Sequence, residues 1–170
     1  MNVAFKIRGG LLNEVRHDLE RPHPFANERA GYLGCRAGRL EPEGWVLLAA
    51  QYYPVADEDY IPDETVAAMI GPNAIRKALQ LAYTGPFSMA HVHLHPHYGT
   101  PRFSPIDDRE TAKMIPDFWN VRSKLPHAAL VLSFDSLCGF VWEPSSRTRV
   151  PLNDFTVVGA PMKFVRHAHE

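Results

Sequence analysis

Three histidines alternate with apolar residues in the run His91-Val-His93-Leu-His95-Pro96, and Ser104-Pro-Ile-Asp107 follows shortly afterwards. Side chains two residues apart in a strand point to the same face, so this spacing predicts that the histidines share a face. Two imidazoles at a strand end and a later carboxylate suit an open zinc site, because catalytic zinc commonly binds three protein ligands and one water. The second run also predicts a helix start, with Ser104 as cap and Asp107 in the first turn. The adjacent histidines favour metal binding over capping alone.

These residues resemble the JAMM metallopeptidases, also called JAB or MPN-plus proteins, whose pattern is His-x-His-Pro, a spacer and Ser-x-x-Asp. A second family element, a glutamate before a Gly-x-Leu strand, is matched by the segment Glu28-Arg-Ala-Gly-Tyr-Leu-Gly34. The resemblance spans residues 3 to 140. The chain departs from the family in a slightly longer spacer after His95 and in His91, which offers a second register of His91 with His93.

The resemblance implies a role for each of five residues. His93, His95 and Asp107 would bind one Zn²⁺ per chain, with His93 and His95 preferred as the pair because proline follows them directly. Glu28 would act as the general base, and Ser104 would donate a hydrogen bond to the developing oxyanion. From the sequence alone, a solvent-facing charge in a loop would be the better interpretation of Glu28, and the Gly-x-Leu strand after it, in the context of the family resemblance, reverses that preference.

The closest resemblance is to small bacterial JAB proteins of ubiquitin-like conjugation systems. It implies a cytoplasmic zinc isopeptidase that cleaves after the C-terminal glycine of a ubiquitin-like protein, during precursor maturation, deconjugation or both. Its partners would be that protein, its conjugates, and the activating and conjugating enzymes of the system. Two alternatives stay open: a peptidase that processes a sulfur-carrier protein, and a metal-free MPN scaffold that only binds partners.

Composition sets the outer bounds of these hypotheses. A chain of 170 residues predicts one domain over residues 1–170, with a core over 3–142 and an extra strand and tail over 143–170. The net charge of −1 gives no electrostatic support for nucleic-acid binding. No segment approaches the roughly twenty apolar residues of a membrane span. The two cysteines, Cys35 and Cys138, suit buried free thiols in a reducing cytoplasm.

Periodicity predicts the elements that position these residues. Strands are expected at 3–7, 32–36, 45–53, 87–95, 128–134, 137–142 and 155–158, and helices near 11–19, 75–82 and 105–115. This mixture predicts an α/β or α+β fold. The family resemblance implies the cytidine-deaminase-like arrangement, a curved mixed sheet flanked by helices.

Two further patterns carry weaker expectations. The acids Asp57, Glu58, Asp59, Asp63 and Glu64 read as a loop entering a helix capped by Asp63, or as an acidic rim that guides a basic substrate tail. The pair His167 and His169 repeats the His-x-His spacing, but we interpret it as a mobile tail because no carboxylate follows at the family's spacing.

Overall fold

Short apolar runs alternate with amphipathic segments along the chain, and in the computed structural model the described residues form one mixed sheet with three helices. The structure describes residues 1–23, 26–63, 65–159 and 163–165. The described strands are β1 (Asn2–Arg8), β2 (Ala30–Leu40), β3 (Gly44–Pro54), β4 (Ser88–Leu94), β5 (His127–Leu132), β6 (Leu137–Trp142), β7 (Arg149–Pro151), β8 (Asp154–Val158) and β9 (Lys163–Val165). The helices are α1 (Gly9–Leu19), α2 (Pro72–Thr84) and α3 (Pro105–Val121), and a 3-10 turn spans Asp57–Asp59.

The described strands form a single sheet in the order β7-β6-β5-β4-β2-β3-β1-β8-β9. Strand β4, which carries the histidines, lies inside the sheet between β2 and β5. It is antiparallel to β2 and parallel to β5. With both neighbours hydrogen-bonded to it, β4 is fixed in register along its whole length, and so are the side chains that it carries.

Alternation along β4 divides its side chains between the two faces of the sheet. Ala90, Val92 and Leu94 join a core cluster that contains the apolar face of α1. Met89 lies on the opposite face, in a cluster with α2 and with Phe118 of α3. His91 and His93 have the parity of Met89, so they lie on the face covered by α2 and α3. The sheet therefore separates α1 from the two helices beside the histidines.

The mixed α/β fold predicted from the sequence is confirmed. The predicted strands and helices all occur, with ends shifted by a few residues, and β5 and β6 pair as the expected hairpin. Cys35 and Cys138 are both buried, as expected, and they are not joined in a disulfide. The pair His167 and His169 lies outside the described residues, as does Glu64.

Helix α3 continues past the position where the sequence predicts its end. Pro116 lies inside it, although an interior proline removes one helical hydrogen bond and costs about 3 kcal/mol. Phe118 and Trp119 follow and are both buried. Each large apolar side chain contributes roughly 1.5–3 kcal/mol on burial, so together they offset the cost of the proline. Packing thus overrides the local signal to stop.

One other sequence expectation was wrong. Asp63 caps no helix among the described residues: the Thr65 backbone N–H donates to Asp63 Oδ1 over 2.8 Å, and α2 starts at Pro72.

The hydrophobic core includes side chains beyond residue 142. Strand β8 pairs in parallel with β1, and Phe155 stacks on Phe5 at 5.5 Å between ring centroids. Among the helices of the described ranges, none is long and apolar enough to cross a membrane.

Another histidine, His127, is built into the core at the start of β5. Its side chain is fully buried, and its Nδ1 accepts a hydrogen bond from the Met89 N–H over 3.0 Å. Phe118 stacks on the ring. Burial lowers the pKa of His127 to about 4, from an ordinary value of 6.5. The folded protein therefore holds this imidazole neutral where the unfolded chain would bind a proton.

We expect His127 to make the fold sensitive to acid. Its contribution is fully present above pH 6.5 and is lost as the pH falls toward about 4, since only the unfolded chain takes up the proton in that range. The loss is roughly 3 kcal/mol in the free energy of unfolding. In His127→Asn the amide oxygen can still accept from Met89 but does not titrate. Denaturant unfolding at pH 7 and pH 4.5 should show a smaller acid loss in His127→Asn than in wild type; equal losses would contradict the assignment.

Candidate metal centre

The pairing of β2 with β4 brings Glu28 to the histidines. Ala30, the first residue of β2, lies opposite His93, near the end of β4. Glu28 precedes Ala30 by two residues, so its side chain reaches past the end of β4. His95 comes just after the strand and is held by a hydrogen bond from its N–H to the Leu132 carbonyl of β5 over 2.9 Å. The segment before β2, the end of β4 and the end of β5 therefore meet at the same end of these strands.

The side chains of His93, His95 and Asp107 converge at atoms that can bind a metal. The two Nε2 atoms lie 3.2 Å apart. Asp107 Oδ1 lies 3.3 Å from His93 Nε2, and Asp107 Oδ2 lies 3.6 Å from His95 Nε2. Ligands of a tetrahedral zinc, each about 2.0–2.1 Å from the ion, are about 3.3 Å apart. The three groups are thus spaced like the protein ligands of one small cation.

Glu28 completes the cluster from the other side. Its Oε1 lies 3.7 Å from His95 Nε2. One ligand atom from each of Glu28, His93 and His95 falls within 4.8 Å of the others, so these residues could hold a metal ion. The carboxylate of Asp107 lies closer to both imidazoles than that of Glu28 lies to His95. Both carboxylates thus lie within reach of a metal bound by the two imidazoles, with Asp107 beside both rings and Glu28 beside His95.

Asp107 is oriented by the start of α3. Ser104 Oγ accepts a hydrogen bond from the Asp107 N–H over 3.1 Å, and Asp107 Oδ2 accepts one from the Ser104 N–H over 2.7 Å. This is the reciprocal capping box that the sequence predicts, with Pro105 in the first turn. The helix N-terminus also favours a negative charge at Asp107. One carboxylate thus caps the helix and faces the histidines.

The charges of the cluster stabilise one another. Burial works to raise the pKa of Asp107, but hydrogen bonds from His93 and His95 hold that pKa well below its ordinary value. The same contact with Asp107 raises the pKa of His95. Burial raises the pKa of Glu28, although the nearby imidazoles act in the opposite direction. Glu28 is therefore a stronger base than an exposed glutamate, as a proton acceptor requires.

His91 and His97 lie beside the cluster but outside it. His91 is one β-step behind His93, with 5.4 Å between ring centroids, and burial lowers its pKa to about 3. His97 is exposed in the loop after β4, where its Nδ1 contacts the Tyr98 carbonyl. The geometry therefore favours the register of His93 with His95 over that of His91 with His93.

The ring nitrogens that face away from the cluster are buried. His93 Nδ1 and His91 Nδ1 are shielded from solvent, and within the described ranges neither has a hydrogen-bond partner. A ligating histidine commonly presents one nitrogen to the metal and its other N–H to an acceptor or a water. His93 thus directs Nε2 toward Asp107 and His95 and keeps Nδ1 inside the protein. The donor set of two imidazoles and a carboxylate fits zinc.

The segment that carries Glu28 is held by its neighbour Arg29, which the sequence analysis passed over. Arg29 is only 2% exposed. Its guanidinium donates to the carbonyls of Arg21 and Pro22, both over 2.8 Å, and to Asp57 Oδ1 over 2.7 Å. In the sequence, Arg29 is one of two adjacent charges before an apolar strand, and this pattern does not reveal its partners.

The expected acidic rim at Asp57–Asp59 is corrected by this arrangement. Asp57 pairs with the buried Arg29, whose hydrogen bond lowers the pKa of Asp57. Asp59 is buried and accepts hydrogen bonds from Lys77 Nζ over 2.6 Å and from Asn73 over 2.5 Å. Glu58 is exposed, and the side chain of Asp57 is 47% exposed despite its pairing with Arg29. Two of the three acids thus form ion pairs within the fold.

Comparisons with known proteins add no family to this geometry. No protein-family model matches the chain, and no curated protein matches it. The function is therefore inferred from the residues of the site.

We expect metal binding to distinguish the two registers. His93→Ala and His95→Ala each remove a ligand, so both should abolish binding of about one zinc per chain. His91→Ala should retain most of it, because a residue behind a ligand commonly changes metal affinity by about 10–100-fold and does not abolish binding. Metal content after dialysis, measured by atomic emission, checks this. Zinc kept in His95→Ala and lost in His91→Ala would assign the earlier pair.

We expect Asp57→Asn to lower stability and Glu58→Gln to leave it unchanged. Both variants remove one negative charge from adjacent residues, but only Asp57→Asn leaves the buried Arg29 guanidinium without its counter-charge. Breaking a buried pair costs about 3–5 kcal/mol. The side chain of Asp57 is 47% exposed, so the loss should be smaller, on the order of 1–2 kcal/mol. Urea unfolding of the two variants measures it, and equal midpoints would contradict the role given to Asp57.

Proposed function

We propose that this protein is a zinc-dependent isopeptidase that cleaves after the C-terminal glycine of a ubiquitin-like protein, in a bacterial ubiquitin-like system. The observation that carries the proposal is the convergence of His93, His95 and Asp107, with Glu28 beside His95. The resemblance of these residues to the JAMM pattern supports the choice of peptide chemistry. The substrate class rests on that resemblance.

The ligand set suits hydrolysis of an amide. When bound, zinc lowers the pKa of a coordinated water to about 7 and polarises a carbonyl. His93 and His95 supply neutral nitrogens, and the Asp107 carboxylate neutralises part of the charge. Asp107 is held by the N–H of Ser104, so it can keep its position while substrate and product exchange.

Glu28 is placed to move the proton. Hydrolysis adds water across the C–N bond: the oxygen joins the carbonyl carbon, the bond breaks, and the leaving amine needs a proton. Glu28 accepts that proton from the attacking water and donates it to the nitrogen. Burial raises the pKa of Glu28, which makes its carboxylate a better proton acceptor. The protonated Glu28 can still donate that proton to the leaving nitrogen.

Ser104 can stabilise the oxyanion while it caps the helix. Its Oγ uses a lone pair to accept from the Asp107 N–H, so its own hydrogen can point to a substrate oxygen. A well-placed donor to an oxyanion contributes about 2.7–4 kcal/mol to the lowering of the barrier. Ser104 and Asp107 share one helical turn, which fixes the donor relative to the ligand.

A tail that ends in glycine would suit this site. Glycine has no side chain and can approach a crowded scissile bond. An extended tail can also pair its backbone with protein groups beside the metal. Two alternatives are a sulfur-carrier peptidase, which would use the same five residues, and a metal-free scaffold. The tight clustering of these residues argues against the scaffold, because a binding module does not require it.

The test is cleavage of a ubiquitin-like protein from the same organism, fused through its terminal glycine to a second chain. We expect the wild type to cut after the glycine, and a bulky residue there to reduce turnover sharply. Glu28→Gln should keep zinc and lose about 10²–10⁴-fold in rate, because an amide cannot accept the water's proton. Wild-type activity should fall in acid as Glu28 becomes protonated.

Three results would contradict the proposal in different places. A folded wild type that binds no zinc would contradict the hypothesis of zinc-dependent catalysis. A Glu28→Gln variant with a near wild-type rate would remove Glu28 as the base. Equal cleavage of short unstructured peptides would indicate a general peptidase and would remove the ubiquitin-like substrate.

A further inference from the structure

We propose that Arg149 is a positioning residue for the metal centre. Arg149 holds the segment that carries Ser104 and Asp107 against the sheet. The inference rests on the proposed function, because it takes Asp107 to be a metal ligand. Arg149 begins strand β7, which lies outside the strands that the sequence predicts. It lies far along the chain from the ligands that it serves.

The Arg149 guanidinium is held by aromatic rings. Its central carbon lies 3.4 Å from the ring centroid of Phe140, 5.3 Å from that of Phe103 and 5.6 Å from that of Trp142. Phe140 and Trp142 belong to β6, whose pairing with β7 sets the position of Arg149. Stacking on several rings leaves the guanidinium little freedom before it meets any polar partner.

Arg149 contacts both ends of the segment that carries the site residues. Its Nη1 donates to Asp108 Oδ1 over 2.6 Å, directly after Asp107. On the other side it covers Phe103, directly before Ser104. Phe103 also meets the edge of Phe140, with 5.2 Å between ring centroids, and contacts the ring of His93 at 6.3 Å. The Arg149 side chain therefore contacts Phe103, just before the helix cap, and Asp108, within the first turn of α3.

An exposed ion pair by itself would hold this helical turn only weakly. The side chains of Arg149 and Asp108 are 31% and 46% exposed, and pairs of this kind contribute little. The difference here is that the rings hold the guanidinium in place, so the contact with Asp108 costs little further ordering. A lysine would keep the charge but lose the planar stacking.

The same hairpin offers a matched control. Arg147 also stacks on an aromatic ring, at 4.1 Å from the centroid of Trp119. Trp119 lies near the C-terminal end of α3, away from the turn that carries Asp107. Arg147→Ala therefore removes the same charge and the same kind of contact from the same helix, but not from its metal-binding end.

The experiment compares zinc affinity in wild type, Arg149→Ala, Arg149→Lys and Arg147→Ala, by competition with a chromogenic chelator. Arg149→Ala should bind zinc about 10–100-fold more weakly, as for other residues that orient a ligand. Arg149→Lys should lie between, and Arg147→Ala should bind like wild type. Melting temperatures of the zinc-free proteins distinguish positioning from general stability. A merely structural role would lower the melting temperature of Arg149→Ala without a selective loss of zinc affinity.

A second readout decides the inference without metal. In zinc-free protein, the amides of Asp107 and Asp108 should exchange with solvent faster in Arg149→Ala than in Arg147→Ala. If Arg149→Ala does not fold, Arg149→Lys and Asp108→Asn carry both measurements.

The outcomes separate the inference from the proposed function. A wild type that binds zinc, with Arg149→Ala binding it equally well, would overturn the positioning role and leave the metal centre standing. A wild type that binds no zinc would overturn the proposed function. In that case, faster exchange in Arg149→Ala alone would still support the role of Arg149 in holding this helical turn, and equal exchange in the two alanine variants would overturn it.

Discussion

The register between β2 and β4 is the constraint on which the site depends. Because Ala30 faces His93, Glu28 lies beyond the end of β4 and next to His95. A slip by one residue would turn every side chain of β2 to the other face of the sheet. Tyr32 would then leave its contact with His91, and Glu28 would no longer reach the imidazoles. The buried faces on both sides of the sheet prevent this slip.

Asp107 shows how folding and chemistry share one side chain. Its backbone and carboxylate close the capping box with Ser104, and the same carboxylate faces both imidazoles. The shared use has a thermodynamic consequence: a ligand that binds only the folded state stabilises that state. A metal held by Asp107 would therefore strengthen the start of α3, and an ordered helix start would in turn strengthen metal binding.

Local periodicity predicts the strands and the helices, and the family resemblance implies the cluster of Glu28, His93, His95 and Asp107. Neither predicts the partners of the two arginines that support this cluster. Arg29 and Arg149 read as ordinary surface charges until the fold shows Asp57 and Phe140 beside them. The passage of α3 through Pro116 and the turn at Asp63 have the same cause, since tertiary packing decides between local alternatives of similar free energy.

The two sides of the cluster are anchored in different ways. His93 lies in a strand that is hydrogen-bonded on both edges, whereas Glu28 belongs to a loop in which the Ala67 carbonyl accepts the N–H groups of Asn27 and Glu28 over 2.7 and 3.2 Å. The pairing of the sheet therefore sets the position of the imidazole, and the loop contacts, including those of the buried Arg29, set the position of the Glu28 carboxylate. A substitution that broke these loop contacts would separate Glu28 from His95 and leave the pairing of β4 intact.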